Sequence, residues 1–157
     1  MLFRSKDVML HIVGRQAYSE EDDCKAEFFT EGKIFEKNNE VFVEYDETEL
    51  SGFMGGHTIL TIRDNEIIMS RANCESGAGD TRMEFMKGRR FNGSYETPAG
   101  VQEIEILAND LKVDINKEKL TGNLNIDYNF SLKGLIEGRS ILSIEITEKD
   151  FKKSRKF

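Results

Sequence analysis

The chain has 157 residues, a length that fits one domain. Its net charge is −7, with 29 acidic against 22 basic residues, which argues against non-specific binding to nucleic-acid phosphates. Eleven Phe and four Tyr are too many aromatics for a disordered chain, and the 32% of charged residues suits a wet surface around a single core.

The dominant hydrophobic period is two, which predicts strands rather than helices. Val8, Leu10 and Ile12 alternate with Met9, His11 and Val13. The acidic cluster Glu20-Glu21-Asp22-Asp23 is expected to form the first hairpin loop, before a second face of Ala26, Phe28, Thr30, Gly32 and Ile34. Lys37-Asn38-Asn39 then reads as a turn. Val41, Val43 and Tyr45 follow, then Ile59 and Thr61, the turn Asp64-Asn65, and Ile67, Met69 and Arg71. Thr81, Met83 and Phe85 precede a turn at Gly88, after which Phe91, Gly93 and Tyr95 share a face.

The sole proline, Pro98, has no N–H to give to a ladder and belongs at a strand end or turn. Thr97-Pro98-Ala99-Gly100 suits a stiff turn that ends one strand near Tyr95 and starts the next near Val101. Ile104 and Ile106 come next, then an expected turn at Ala108-Asn109-Asp110, then Leu111, Val113 and Ile115. From Leu120 to Leu132 the alternation is unbroken, with asparagines and Asp127 on the wet side. After Lys133-Gly134 a last strand carries Ile136, Gly138, Ser140, Leu142, Ile144 and Ile146 on one face.

These runs make about ten strands joined by short connections, which implies antiparallel neighbours. An all-β, mainly antiparallel, up-and-down closed barrel of eight to ten strands is favoured over a sandwich. Closure removes exposed strand edges, and the inward glycines Gly122 and Gly138 suit a sharply coiled sheet. Residues 1–150 are read as one barrel domain. Residues 151–157, with Lys152, Lys153, Arg155 and Lys156, are read as a basic, solvated C-terminal tail. The start lacks the apolar core of a signal peptide, no run reaches 18 apolar residues, and Cys24 and Cys74 stand far apart. A cytoplasmic protein with reduced thiols and no membrane span is therefore expected.

The run Arg82 to Ile106, "RMEFMKGRRFNGSYETPAGVQEIEI", resembles the signature region of the YwiB-like bacterial family of unknown function. Arg82, Met83, Phe85, Gly88, Tyr95, Thr97, Pro98 and Gly100 carry the likeness, and "LNIDYNFSLKG" and "SILSIEI" are similar to the family's closing hairpin. The segment from Met69 to Met83 is longer than in the family pattern, and Ala99 stands where relatives carry an aromatic. The resemblance covers about Lys6 to Glu148. It implies a calycin- or lipocalin-like barrel and no particular activity.

No metal ligand set is visible, since His11, His57, Cys24 and Cys74 are not at zinc-motif spacing. No phosphate-binding glycine loop or dinucleotide fingerprint occurs, so no cofactor is expected. His57 is expected near the barrel mouth as a surface residue, Cys74 as a passive thiol, and Glu103 and Glu105 on an outer face. Arg71 shares the face of Ile67 and Met69. A guanidinium buried alone is very costly, so Arg71 is expected either to sit at a strand end and extend to water or, if inward, to meet a carboxylate, water or a bound anion. Tyr45, Tyr95 and Tyr128 offer hydroxyls from their own inward faces.

The candidate ligand-binding residues are Arg71, Arg82, Tyr95, Thr97 and Tyr128, with no catalytic residue and no metal ligand assigned. The partner they suit is a small apolar or amphipathic molecule, bound without chemistry in the barrel. The alternative is a protein-interaction or structural module whose barrel is filled. An enzyme acting through Arg82, Tyr95 and Glu96 is the least favoured reading, because no acid–base pair stands out.

Overall fold

The computed structural model describes residues 3–17, 23–47, 56–72, 81–97, 100–132 and 136–149. They form ten strands: β1 Phe3–Ala17, β2 Asp23–Lys37, β3 Glu40–Asp46, β4 His57–Arg63, β5 Glu66–Ala72, β6 Thr81–Met86, β7 Arg90–Thr97, β8 Gly100–Asn116, β9 Thr121–Leu132 and β10 Ile136–Glu148. Among the described residues there is no helix long and apolar enough to cross a membrane.

All ladders are antiparallel, and the strand order is β6-β5-β4-β3-β2-β1-β10-β9-β8-β7. Every strand except β6 and β7 thus has two laddered neighbours. The sheet nearly closes on itself, with the seam between β6 and β7. A parallel bridge from Lys87 to Ala108 spans the seam at its lower end, where Gly88 N–H donates to the Ala108 carbonyl at 2.9 Å.

Period-two alternation puts one apolar set inside. Leu10, Ile34, Val43, Leu60, Ile67, Phe85, Ile106, Leu124, Ile126, Ile144 and Ile146 are all fully buried in one cluster. At about 25 cal/mol per Å², burying side chains of this size stabilises the fold by roughly 1.5–3 kcal/mol each. Inward glycines let the sheet coil. A Cβ on Gly138 would stand 3.0 Å from the ring of Phe130, its direct cross-strand partner, which lies over the bare backbone.

The two ends of the barrel differ. At the lower end the connections are tight. Asn38 and Asn39 turn with φ of 53° and 67°, and Asp64-Asn65 joins β4 to β5. The β8–β9 tip lies across this end and buries Leu120. It is held by Lys6 Nζ donating to the Lys119 carbonyl at 2.9 Å and by Arg4 donating to the carbonyls of Lys117 and Glu118. The opposite, upper end is marked by the pairs Ala17 with Asp23, Asp46 with His57 and Thr97 with Gly100, and the segments 18–22, 48–55, 73–80, 98–99 and 133–135 are not among the described residues. The Pro98 turn, most of the acidic cluster, Cys74 and the Lys133-Gly134 turn fall in them, and the basic tail 151–157 is likewise outside the described residues.

One expected turn is not a turn. Ala108-Asn109-Asp110 lies inside β8, where the register to β9 shifts between Ala108 and Asp110. Asn109 is the extra residue of a bulge. Its amide donates to Asn129 Oδ1 at 2.9 Å and to Asp127 Oδ1 at 3.3 Å, so the side chain ties the extra residue to β9 and the strand continues. Leu120 likewise precedes β9 rather than opening it, in the last position of a turn with φ of 55°.

Candidate functional site: a polar row under the upper rim

Register aligns four inward residues near the upper ends of four adjacent strands. Tyr45 pairs with Thr58, Thr58 with Arg71, and Arg71 with Thr81. Tyr45, Thr58 and Thr81 are buried. On the other side Tyr45 pairs with Gly32, where a Cβ would stand 2.8 Å from both the Glu44 carbonyl and Leu10. That close approach requires glycine at this point of the wall.

One step beyond Tyr45, Glu47 turns its carboxylate into the same row. Its backbone N–H donates to the Gly56 carbonyl at 2.8 Å, which fixes the end of β3 against the start of β4. Arg71 Nε lies 3.3 Å from Glu47 Oε2, and the two side chains are 11% and 1% exposed. This is the buried carboxylate that an inward arginine needs. The contact is an ion pair off the angle of a good hydrogen bond. Among the described residues Glu47 Oε2 and the Thr58 hydroxyl, both buried, have no aligned hydrogen-bond partner.

Electrostatics follow from burial. Desolvation pushes the Glu47 carboxyl above its ordinary range, against the opposing pull of Arg71 and the Thr58 hydroxyl. The Tyr45 phenol is also pushed up, first by burial and then by Glu47, so it stays a neutral hydroxyl at any physiological pH. The row therefore presents a cation, a carboxyl whose pKa burial raises, and three neutral hydroxyls in low dielectric.

On β2, β9 and β10 the upper inward surface is apolar and less covered. Phe28 of β2, Tyr128, Phe130 and Leu132 of β9, and Leu142 of β10 pack against the core but are only partly buried. Ser140, paired with Tyr128, is a buried hydroxyl on this wall. Hydrogen-bonding and charged groups are thus gathered on β3 to β6, and partly covered aromatic and aliphatic groups on β2, β9 and β10.

The structure sorts the expected site residues. Arg71 points inward beneath the rim. Tyr128 is inward, but its ring packs on Phe85 at 4.9 Å and Phe130 at 6.3 Å. Phe85 pairs with Ile67, four residues down β5 from Arg71, or roughly 13 Å along the strand, so the Tyr128 ring meets this side of the barrel well below Arg71. Arg82 lies on the outer face, exposed, with Nε donating to Glu84 Oε2 at 3.1 Å. Tyr95 pairs with Gln102 and Thr97 with Gly100 at the upper end of β7; their side chains are outside the described residues. Glu47 and Thr58 were not singled out by sequence, although Glu47 continues the inward set Val41, Val43, Tyr45.

Other polar residues form surface pairs. His57 opens β4 on the outer face, with Nδ1 2.8 Å from Asp46 and Nε2 3.5 Å from Glu44. The Asp46 contact chiefly raises its pKa. Glu105 pairs with Arg90. Among the described residues no three His, Cys, Asp or Glu side chains converge as a metal site requires.

A family model described as "Domain of unknown function (DUF1934)" matches residues 10–144. A search of curated proteins finds no match. Among solved structures, the chain is similar to the crystal structure of ywiB protein from Bacillus subtilis. The TM-score is 0.75 at 17% identity, over 93% of this chain and 94% of that one. At that identity the likeness bears on the fold alone.

Proposed function

We propose that this chain, which belongs to the DUF1934 family of domains of unknown function, binds a small amphipathic molecule at the upper end of its barrel. The observation that carries the reading is the buried row of Tyr45, Glu47, Thr58 and Arg71 on an otherwise apolar inner face. Phe28, Phe130, Leu132 and Leu142, on β2, β9 and β10, are inward apolar side chains that are only partly covered. An alkyl or aryl body would lie on these apolar groups. Its polar head would meet the row, where buried hydroxyl and carboxylate oxygens await better-aligned partners. A carboxylic acid fits this row well, because its oxygens can accept from the Arg71 guanidinium and the Thr58 hydroxyl. No step of bond chemistry is part of the reading. A cytoplasmic setting belongs to the same proposal and rests on the two cysteines, Cys24 and Cys74, standing fifty positions apart.

The test is calorimetric titration of the full chain with a medium-chain fatty acid. Saturable binding at one site, weakened at least tenfold in Arg71→Met, supports the reading. The absence of binding by fatty acid, alkyl amine and alkyl alcohol alike would overturn it. That outcome would favour the filled-barrel interaction module, to which the tightly packed lower half lends support.

A further inference from the structure

Beyond residue 108, β8 loses its neighbour on one side. β7 pairs with β8 only from Gly100 to Leu107, and the Lys87 bridge reaches only Ala108. Below that point β8 is laddered to β9 alone. Leu111 N–H turns to the carboxylate of Asp110 at 3.0 Å rather than to β9. Antiparallel alternation then directs the N–H and C=O groups of Val113 and Ile115 to the open edge, while Lys112 and Asp114 bond to β9. No described strand covers that edge.

We propose that this edge pairs with the same edge of a second copy, making a two-fold dimer centred on Val113. The sequence here is self-complementary under that symmetry. An antiparallel pairing about Val113 sets Lys112 opposite the second copy's Asp114, and Asp114 opposite its Lys112. Leu111 meets Ile115, and Asp110 meets Asn116. Lys112 and Asp114 are exposed on the outer face, and neither makes an ion pair among the described residues. In the dimer they occupy non-hydrogen-bonded pair positions, where opposing side chains come closest. On the inner face Leu111, Val113 and Ile115, each only partly buried, become continuous with their copies.

The ends of the pairing are also set. Above, the bulge at Asn109 and the Asp110–Lys87 contact at 3.6 Å close the edge. Below, the turn from Lys117 to Leu120 ends the strand, held by Asn116 Oδ1 accepting from the N–H groups of Glu118 and Lys119. An isologous contact uses this edge in both copies at once, so assembly stops at two rather than growing into fibres.

The experiment is sedimentation equilibrium of the full chain across a concentration range, with thermal melting to verify that each variant is folded. Wild type is expected to show a monomer–dimer equilibrium. Lys112→Asp places Asp opposite Asp, and Asp114→Lys places Lys opposite Lys. Each is expected to weaken the dimer roughly tenfold or more. The double variant Lys112→Asp/Asp114→Lys restores opposite charges and should restore the dimer. A monomer at every concentration overturns the proposal. So does a dimer indifferent to the single reversals, or a double variant as weak as either single one.

Discussion

Removing the Glu47 carboxylate should destabilise the barrel far more than removing Glu47 and Arg71 together. The two side chains are 1% and 11% exposed and 3.3 Å apart. At an effective dielectric near 20, opposite charges at that separation attract by about 5 kcal/mol, and much of this offsets the cost of taking both out of water. Glu47→Ala leaves the guanidinium in low dielectric without that charge and should cost about 3 kcal/mol. For a chain of this length that corresponds to a fall in Tm of roughly 6–12 °C. Glu47→Leu with Arg71→Met replaces the pair by apolar groups of similar volume and should return to within about 1 kcal/mol of the native chain. Urea unfolding followed by circular dichroism measures all the variants. Equal, additive losses in the cycle would refute the reasoning, because they would mean the two side chains do not depend on one another.

Two more outcomes follow from the same wall. Glu47 binds its proton more tightly folded than unfolded, so its contribution to stability falls as pH rises from the ordinary carboxylate pKa through its raised value. Glu47→Gln should therefore lose less stability than the native chain across that window; parallel pH profiles for the two would contradict the burial of the carboxyl. Gly32→Ala pushes a methyl against the Glu44 carbonyl and Leu10, and should cost about 1–3 kcal/mol in urea unfolding, whereas an unchanged midpoint would show that β2 yields there at no cost.

Strand positions were legible because one face of each strand is wet, so apolar residues recur at every second position. The clearest case, residues 120–132, became β9 with its start one residue later. Residues 108–110 misled because Asn and Asp commonly mark turns. Here the Asn109 amide bonds across to β9, a long-range contact that local sequence does not carry. Alternation put Arg71 on the face of Ile67 and Met69, while its place at a strand end suited an extension to water that the structure replaces with burial beside Glu47. That counter-charge lay two strands away, beyond β4, across a register that only the folded ladders define. Arg82 entered through a motif, although alternation with buried Thr81 and Met83 already pointed it outward.

The account rests on where a ligand sits, and backbone and side-chain NMR with a titrated medium-chain fatty acid tests that most directly. Shifts that saturate at Tyr45, Thr58, Arg71, Phe28 and Phe130, with little change at Leu111 to Ile115, are the predicted result. Shifts confined to the outer face or the lower end, with the Arg71 row unmoved at saturation, would contradict it.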